Sequence, residues 1–362
     1  MACLASLPPE LRTLIVDEAA GPITRSGFAH RRDTLLCLSL VGPLRAAAQE
    51  CLTRAVRVQS APHLEAVRAR PARDTAHLQL LYLDNSEQCL TAVAPASSLD
   101  VATFPALRAV ALVLLDDLDL DPLASLPELE DLRLNGCTVT ISPFVVFGRL
   151  ARLDVFYTSA HKEHKVIFIS SSCMPSLRHM RSIHHEGEIY WDDEWPYLRP
   201  DEDLVQQLVT LEYNYTPAIA KYNDMGDSAC RTLYAINLAC LPAYFVQATS
   251  SFSKVRHVRL EPFDPSNVDP HVNMSDIDEN VRRMSSLIGS NASLVVDLRT
   301  ILLPSSLRDL PALRGLVETV EASSRTRRRA IKIYFSDDSS RDMPLGEPTL
   351  FMRLAEQGQL DD

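Results

Sequence analysis

Two hydrophobic rhythms divide the chain. Between residues 7 and 58 apolar positions recur at helical spacing, whereas from residue 78 onward they recur in short alternating phrases of strand type. In the first stretch Leu7-Pro8-Pro9-Glu10 precedes Leu11, Leu14 and Ile15, which share one helical face; Ser6 is the expected cap, and the prolines sit where a missing N–H costs little. That face needs a partner. A polar stretch from Gly21 to Arg32 follows, after which Asp33 or Thr34 caps a second expected helix. Its Leu35, Leu36, Leu38, Leu40 and Val41 are too dense for an ordinary surface helix, and Gly42-Pro43 stops it. Pro43 then starts a third, in which Leu44, Ala47, Ala48, Cys51 and Leu52 keep the i, i+3, i+4, i+7, i+8 spacing. Three short striped helices imply one small bundle over residues 1–58.

Beyond it a Leu-x-x-Leu-x-Leu template recurs. Copies begin at Leu78 (Leu81, Leu83, then Asn85), Leu107 (Val110, Leu112), Leu129 (Leu132, Leu134, then Cys137) and Leu150 (Leu153, Val155). Weaker echoes begin at Leu177, Leu208 and Val255, so successive starts lie 29, 22, 21, 27, 31 and 47 residues apart. Each copy reads as a short strand whose alternate leucines enter a shared core, and phrases such as Phe104-Pro105-Ala106-Leu107 close the segment before it. One copy cannot bury its own apolar face, so neighbours must stack on it. The pattern resembles irregular leucine-rich-repeat domains, and the resemblance implies a curved α/β solenoid with parallel strands over residues 59–335. The other reading is a compact α/β domain with leucine-rich strands.

The N-terminal phrases carry a second resemblance. Leu7-Pro8-Pro9-Glu10-Leu11, a variable insert, Thr34-Leu35-Leu36-Cys37-Leu38-Ser39-Leu40-Val41 and Ala48-Gln49-Glu50-Cys51-Leu52 resemble the F-box of fungal F-box proteins over roughly the first fifty residues. The family's usual Cys-Arg-x-Trp after the second-helix valine is here Gly42-Pro43-Leu44-Arg45. F-box domains bind the Skp-type adaptor of cullin-RING ubiquitin ligases. By resemblance Leu7, Pro8, Leu11, Ile15, Leu36, Leu40 and Val41 belong to the adaptor interface or to the core that supports it.

Composition narrows the function. With 46% hydrophobic residues in 362 the chain buries a sizeable core, and its net charge of -11 disfavours nucleic-acid or anionic-membrane binding. The start, Met1-Ala2-Cys3-Leu4-Ala5, lacks a basic region followed by an apolar run, and no stretch approaches a membrane span, so the expected location is cytoplasmic and/or nuclear. The 8 cysteines have no paired or zinc spacing and read as buried thiols. Arg325, Arg327, Arg328 and Arg329 read as a charged loop entering the strand Ile331-Lys332-Ile333-Tyr334-Phe335, the other reading being an import patch or an acidic-partner site.

The longest intervals carry the candidate recognition chemistry. Residues 184–203 hold both tryptophans beside an acidic run, and Tyr190, Trp191, Asp192, Asp193, Glu194 and Trp195 combine aromatic anchors with carboxylates suited to a basic protein substrate. Equally, Trp191 and Trp195 would staple a long insert to the repeats. The stretch from Phe263 to Asn280 reads as a solvated acidic loop. No catalytic constellation emerges: His161-x-x-His164 and His184-His185 lack zinc spacing, there is no nucleophile elbow, and 11 glycines leave no phosphate loop. No catalysis, cofactor or metal is expected. Leu298 to Glu321 mixes helical leucine spacing with prolines, residues 336–362 form a polar tail or cap in which Leu350, Phe351, Met352 and Leu354 make a short helix, and the last four residues fray.

The two resemblances together imply a substrate receptor of an SCF-type ubiquitin ligase, serving ubiquitin-dependent degradation: residues 1–58 would hold a Skp-type adaptor, and through it a cullin, while the repeats would present an unknown protein substrate. The alternative is a repeat scaffold whose helical start is only a cap. The two differ in whether the bundle's outer face exposes apolar residues.

Overall fold

A computed structural model describes residues 4–25, 27–71, 75–86, 103–156, 158–160, 166–183, 197–214, 231–237, 256–261, 278–279, 281–282, 285–286, 298–326, 330–336 and 343–360. The chain is mixed α/β, with seven α-helices among the described residues and a large parallel sheet. It separates into two units, one made of Met1–Leu177, Asp192–Leu204 and Asp342–Glu347, the other of Arg178–Trp191, Val205–Arg341 and Pro348–Asp362.

The first unit opens with α1 (Pro9–Ala20), α2 (Phe28–Ser39) and α3 (Arg45–Arg54), the last entered through a 3-10 turn at Gly42–Leu44. Two expected caps move. Ser6 lies in a separate 3-10 turn, Leu4–Ser6, and α1 starts behind Pro8 because the two prolines hold the chain extended until Pro9 can serve as a first helical residue. Likewise α2 begins at Phe28, not at Asp33 or Thr34. Thr24 Oγ1 accepts the Gly27 N–H at 2.9 Å, so the turn before α2 is closed within the stretch that reads as polar insert. Val16, Ala20, Leu35, Leu44, Ala47, Ala48 and Cys51 form the bundle's core.

The chain then enters parallel strands. In the first unit β1 (Ala55–Val58), β2 (Leu80–Asp84), β3 (Ala109–Val113), β5 (Asp131–Asn135) and β7 (Arg152–Phe156) pair in that order, with α4 (Ala61–Arg68) after β1. Leu81, Val110, Leu132 and Leu153 are register partners, as are Leu83, Leu112, Leu134 and Val155. All eight are at most 1% exposed, so the alternate leucines of successive phrases do share one core. Short strands β4 (Leu118–Asp119), β6 (Thr138–Thr140) and β8 (Ser159–Ala160) form a second parallel ladder, and β9 (Val166–Ile169) pairs with β11 (Tyr197–Pro200).

The second unit carries β10 (His179–Ile183), β12 (Thr210–Asn214), β13 (Arg231–Asn237), β14 (His257–Glu261), β15 (Thr300–Pro304) and β16 (Lys332–Ser336), again parallel. The remaining helices are α5 (Glu202–Gln207), α6 (Pro311–Thr326) and α7 (Leu350–Glu356). Leu298 to Glu321 thus resolves into a strand and a helix, split by Pro304 and Pro311, which sit where each element can tolerate a missing donor.

Strand entry repeats one arrangement at five strands, found in both units. Two successive N–H groups donate to a single carbonyl of the preceding repeat: Arg108 and Ala109 to Gln79, Glu130 and Asp131 to Arg108, Ala151 and Arg152 to Glu130. Val209 and Thr210 do the same to Arg178, and Arg299 and Thr300 to Arg256. At these five strands the fork sets the register at the same point of the phrase although the intervals differ in length, while β2, β13 and β16 enter on a single N–H, from Gln79, Arg231 and Lys332.

Among the described residues no single helix is long and apolar enough to cross a membrane.

Candidate functional site: an exposed apolar edge on the helical bundle

The bundle's core takes only part of its apolar side chains. On α1 the inward positions are Val16 and Ala20, while Leu11, Leu14 and Ile15 are 46%, 63% and 41% exposed. The stripe read from the sequence therefore points outward. On α2 Leu35 is buried, whereas Leu36 is 45% exposed; in the turn that follows, Leu40 and Val41 reach 79% and 41%. Pro8 is exposed and Leu7 half-buried. Of the seven residues assigned by resemblance, six face solvent, and Leu14 joins them. Leu4, 41% exposed, also belongs to this set, and nothing in its sequence context separates it from a core leucine.

The backbone that presents them is held firmly. Arg12 Nη1 donates to the Pro43 carbonyl at 3.0 Å, tying α1 to the turn before α3. Leu40 and Val41 N–H groups donate back to Cys37 and Leu38, and Leu44 N–H closes onto Val41 at 2.9 Å. Arg31, 4% exposed, bonds Asp17 and the Gly21 carbonyl, bracing α2 against the end of α1. Leu14 borders a groove between α1 and α3 and Leu36 one between α2, α3 and β1, so exposed apolar side chains, of the kind that mark protein interfaces, line the braced frame at more than one place.

A second surface, the sheet face opposite the leucines, is occupied by the chain itself. In the first unit Arg133 Nη1 donates to the Met343 carbonyl at 2.7 Å, and Gly346 N–H donates to Asp131 Oδ2 at 3.0 Å. Leu345 packs with Ile23, Tyr82, Ala109 and Ala111. In the second unit Phe351, Leu354, Ala355 and Leu360 pack with Leu233 and Leu302. There Arg231 donates to the Ala355 carbonyl at 3.0 Å, and His179 Nε2 lies 3.0 Å from Glu356. Residues 343–360, within the segment read as a polar tail or cap, are accordingly packed on the sheet. The expected short helix is present as α7, capped by Thr349 accepting the Met352 N–H at 3.0 Å. Gln359 and Leu360 do not fray: Gln359 N–H bonds Leu354 at 2.9 Å, and Leu360 is buried.

Buried charges sit on this covered face. Arg133 meets Asp154 at 3.2 Å and Arg152 meets Asp131 at 3.5 Å. Burial, then the neighbouring Asp154 carboxylate, pushes Asp131 up to about 6 despite Arg133 and Arg152. Asp84 goes the other way. Burial alone would raise it, but hydrogen bonds from Arg25, Ser86 and Arg57 hold it at about 2. Further along, Arg181 and Arg259 both contact Glu212, at 3.0 and 2.6 Å.

Of the cysteines, Cys51, Cys137 and Cys173 are buried thiols; burial raises Cys51 and pushes Cys137 up to about 11, which removes nucleophilic thiolate. Cys37 departs from the expectation and is exposed, on the outer side of α2. Tyr190, Trp191, Asp192, Asp193, Glu194 and Trp195, both His pairs and Arg327 to Arg329 lie outside the described residues. Among the described residues no group of three His, Cys, Asp or Glu side chains is arranged to hold a metal.

No protein-family model matches the chain, and no curated protein matches it.

Proposed function

We propose that this chain is a substrate receptor of an SCF-type cullin-RING ubiquitin ligase, acting in the cytoplasm or nucleus. Its first three helices dock a Skp-type adaptor and its parallel-strand region, an irregular leucine-rich-repeat solenoid, holds a protein substrate. The observation that carries the reading is the outward exposure of Leu11, Leu14, Ile15, Leu36, Leu40 and Val41 on a bundle that keeps its own core. A pure cap would have no use for them, and exposing so many apolar side chains without a partner invites aggregation. The recurring entry fork and the in-register leucines support the solenoid, since both repeat from phrase to phrase irrespective of interval length.

Such a receptor supplies no reacting group. It raises the effective concentration of a substrate lysine near the conjugating enzyme. Because residues 343–360 occupy the sheet face opposite the leucines, substrate contacts fall elsewhere, foremost to the aromatic and acidic stretch 184–203. The experiment that tests the adaptor half is co-purification of the full chain with a Skp-type adaptor, beside the Leu11→Asp, Leu36→Asp double variant.

The scaffold reading keeps one observation in its favour: Gly42-Pro43-Leu44-Arg45 provides no tryptophan anchor, and Leu44 is turned into the core.

A further inference from the structure

We propose that a cavity between α2, α3, β1 and α4 is a binding site for a small amphiphilic anion, a phosphate monoester carrying an apolar body about the size of one ring. Its volume is about 320 Å³. That is the lower range of ligand pockets, and a dry cavity of about 150 Å³ already admits benzene, so a ring with a tetrahedral head fits.

The lining divides by chemistry. The floor is apolar, with Leu35, Cys51 and Val56 buried and Leu52 beside them. The walls are cationic. Arg31, Arg32, Arg57, His63 and Arg70 all line it, and no Asp or Glu does among the described residues. Two of these cations are already neutralised: Arg31 by Asp17 and Arg57 by Asp84. Arg32 and Arg70 have no ion pair or side-chain hydrogen bond among the described residues, and both are exposed. His63, half-buried in the same lining, has its pKa lowered first by burial and then by Arg70 and Arg32, so its neutral imidazole offers one N–H beside two uncompensated guanidinium groups. In a chain of net charge -11 with 47 acidic residues, a pocket that gathers five basic side chains and excludes carboxylates is arranged for an anion. Two free guanidinium groups and an imidazole suit a doubly charged phosphate head, while the leucine floor excludes inorganic phosphate as the best occupant. The site shares Leu36 with the outward leucines proposed for adaptor docking, but Arg32 and Arg70, which its test changes, are not among those leucines.

The test uses the full chain and phenyl phosphate. Calorimetric titration is expected to show one-site binding, with a shift of the His63 imidazole resonance on the same titration. Arg32→Gln and Arg70→Gln, both at exposed positions, each weaken binding by about tenfold or more while leaving thermal unfolding unchanged. Inorganic phosphate and benzyl alcohol, which supply only the head or only the body, bind at least about tenfold more weakly than phenyl phosphate. Overturning results are inorganic phosphate binding as tightly as phenyl phosphate, benzyl alcohol doing so, or affinity unchanged in both arginine variants.

Discussion

Arg25 Nε lies 2.9 Å from Asp84 Oδ2, joining the loop after α1 to the last residue of β2. Arg57 of β1 donates to the same oxygen at 3.1 Å, and the Asp84 side chain is fully buried. The helical module and the first strands thereby share a buried charge that neither can release cheaply. Removing one partner of a buried pair costs about 3–5 kcal/mol, so Asp84→Ala is expected to lower the urea-unfolding free energy by that order. The sign with pH follows from a carboxyl held at about 2, below the ordinary 3.8: its stabilising contribution is present above about pH 4 and is lost as pH falls through about 2. Acid unfolding of Asp84→Asn, compared with the parent chain, checks this.

Asp131 is expected to act in the opposite sense. Its carboxyl is pushed up to about 6, so the folded state holds a proton that the unfolded chain releases. The contribution to stability is complete below about pH 4 and is lost as pH rises through about 6. Urea unfolding across that window should show the stability of the parent chain, measured relative to Asp131→Asn, declining with increasing pH; a constant difference would exclude the assignment.

Much of this architecture was legible in the leucines. Leu81, Leu83, Val110, Leu112, Leu132, Leu134, Leu153 and Val155 all occupy core positions of parallel strands, because a period of two over a few residues leaves a strand little choice of face. Strand β13 escaped notice. It begins at Arg231-Thr232-Leu233 and lacks the leading leucine of the template. Asp131, Arg133 and Asp154 were equally hidden, since a polar residue alternating with leucine reads as solvent-facing. Their burial is caused by a segment more than 180 residues away, in which Met343 and Leu345 stand isolated among proline and glycine with no period to betray them. The apolar stripes of the first helices were legible as a set. Which of their leucines face outward was not, because helical spacing defines a stripe without saying which side the partner lies on.

The C-terminal segment is expected to be integral to the fold. Phe351 is 1% exposed and lies with its ring centroid 5.5 Å from that of His257. Phe351→Ala should destabilise by about 3–5 kcal/mol, read as a lower urea midpoint with an unchanged slope. A loss below about 1 kcal/mol would mean that the segment only rests on the sheet.

Gly136 adopts φ +64°, and a Cβ there would meet Leu114 Cδ2 at 2.6 Å. Leu114 itself has φ 55°, so two left-handed positions, of which only Leu114 is strained, face each other between successive repeats. Gly136→Ala is expected to cost about 1–2 kcal/mol from backbone conformation, with the leucine displaced in addition. Thermal unfolding measures it, and an unchanged midpoint would contradict the geometry.

Adaptor docking is the central claim, and point substitution tests it better than truncation, since a chain beginning at residue 60 also removes β1 and Arg57 and leaves Asp84 buried without them. The full chain and its Leu11→Asp, Leu36→Asp variant should be purified together with a Skp-type adaptor and resolved by size-exclusion chromatography. The account predicts a stable complex with the parent chain and none with the variant, both chains giving the same circular dichroism and thermal midpoint. A folded parent chain that fails to bind, or a variant that binds equally well, would contradict it.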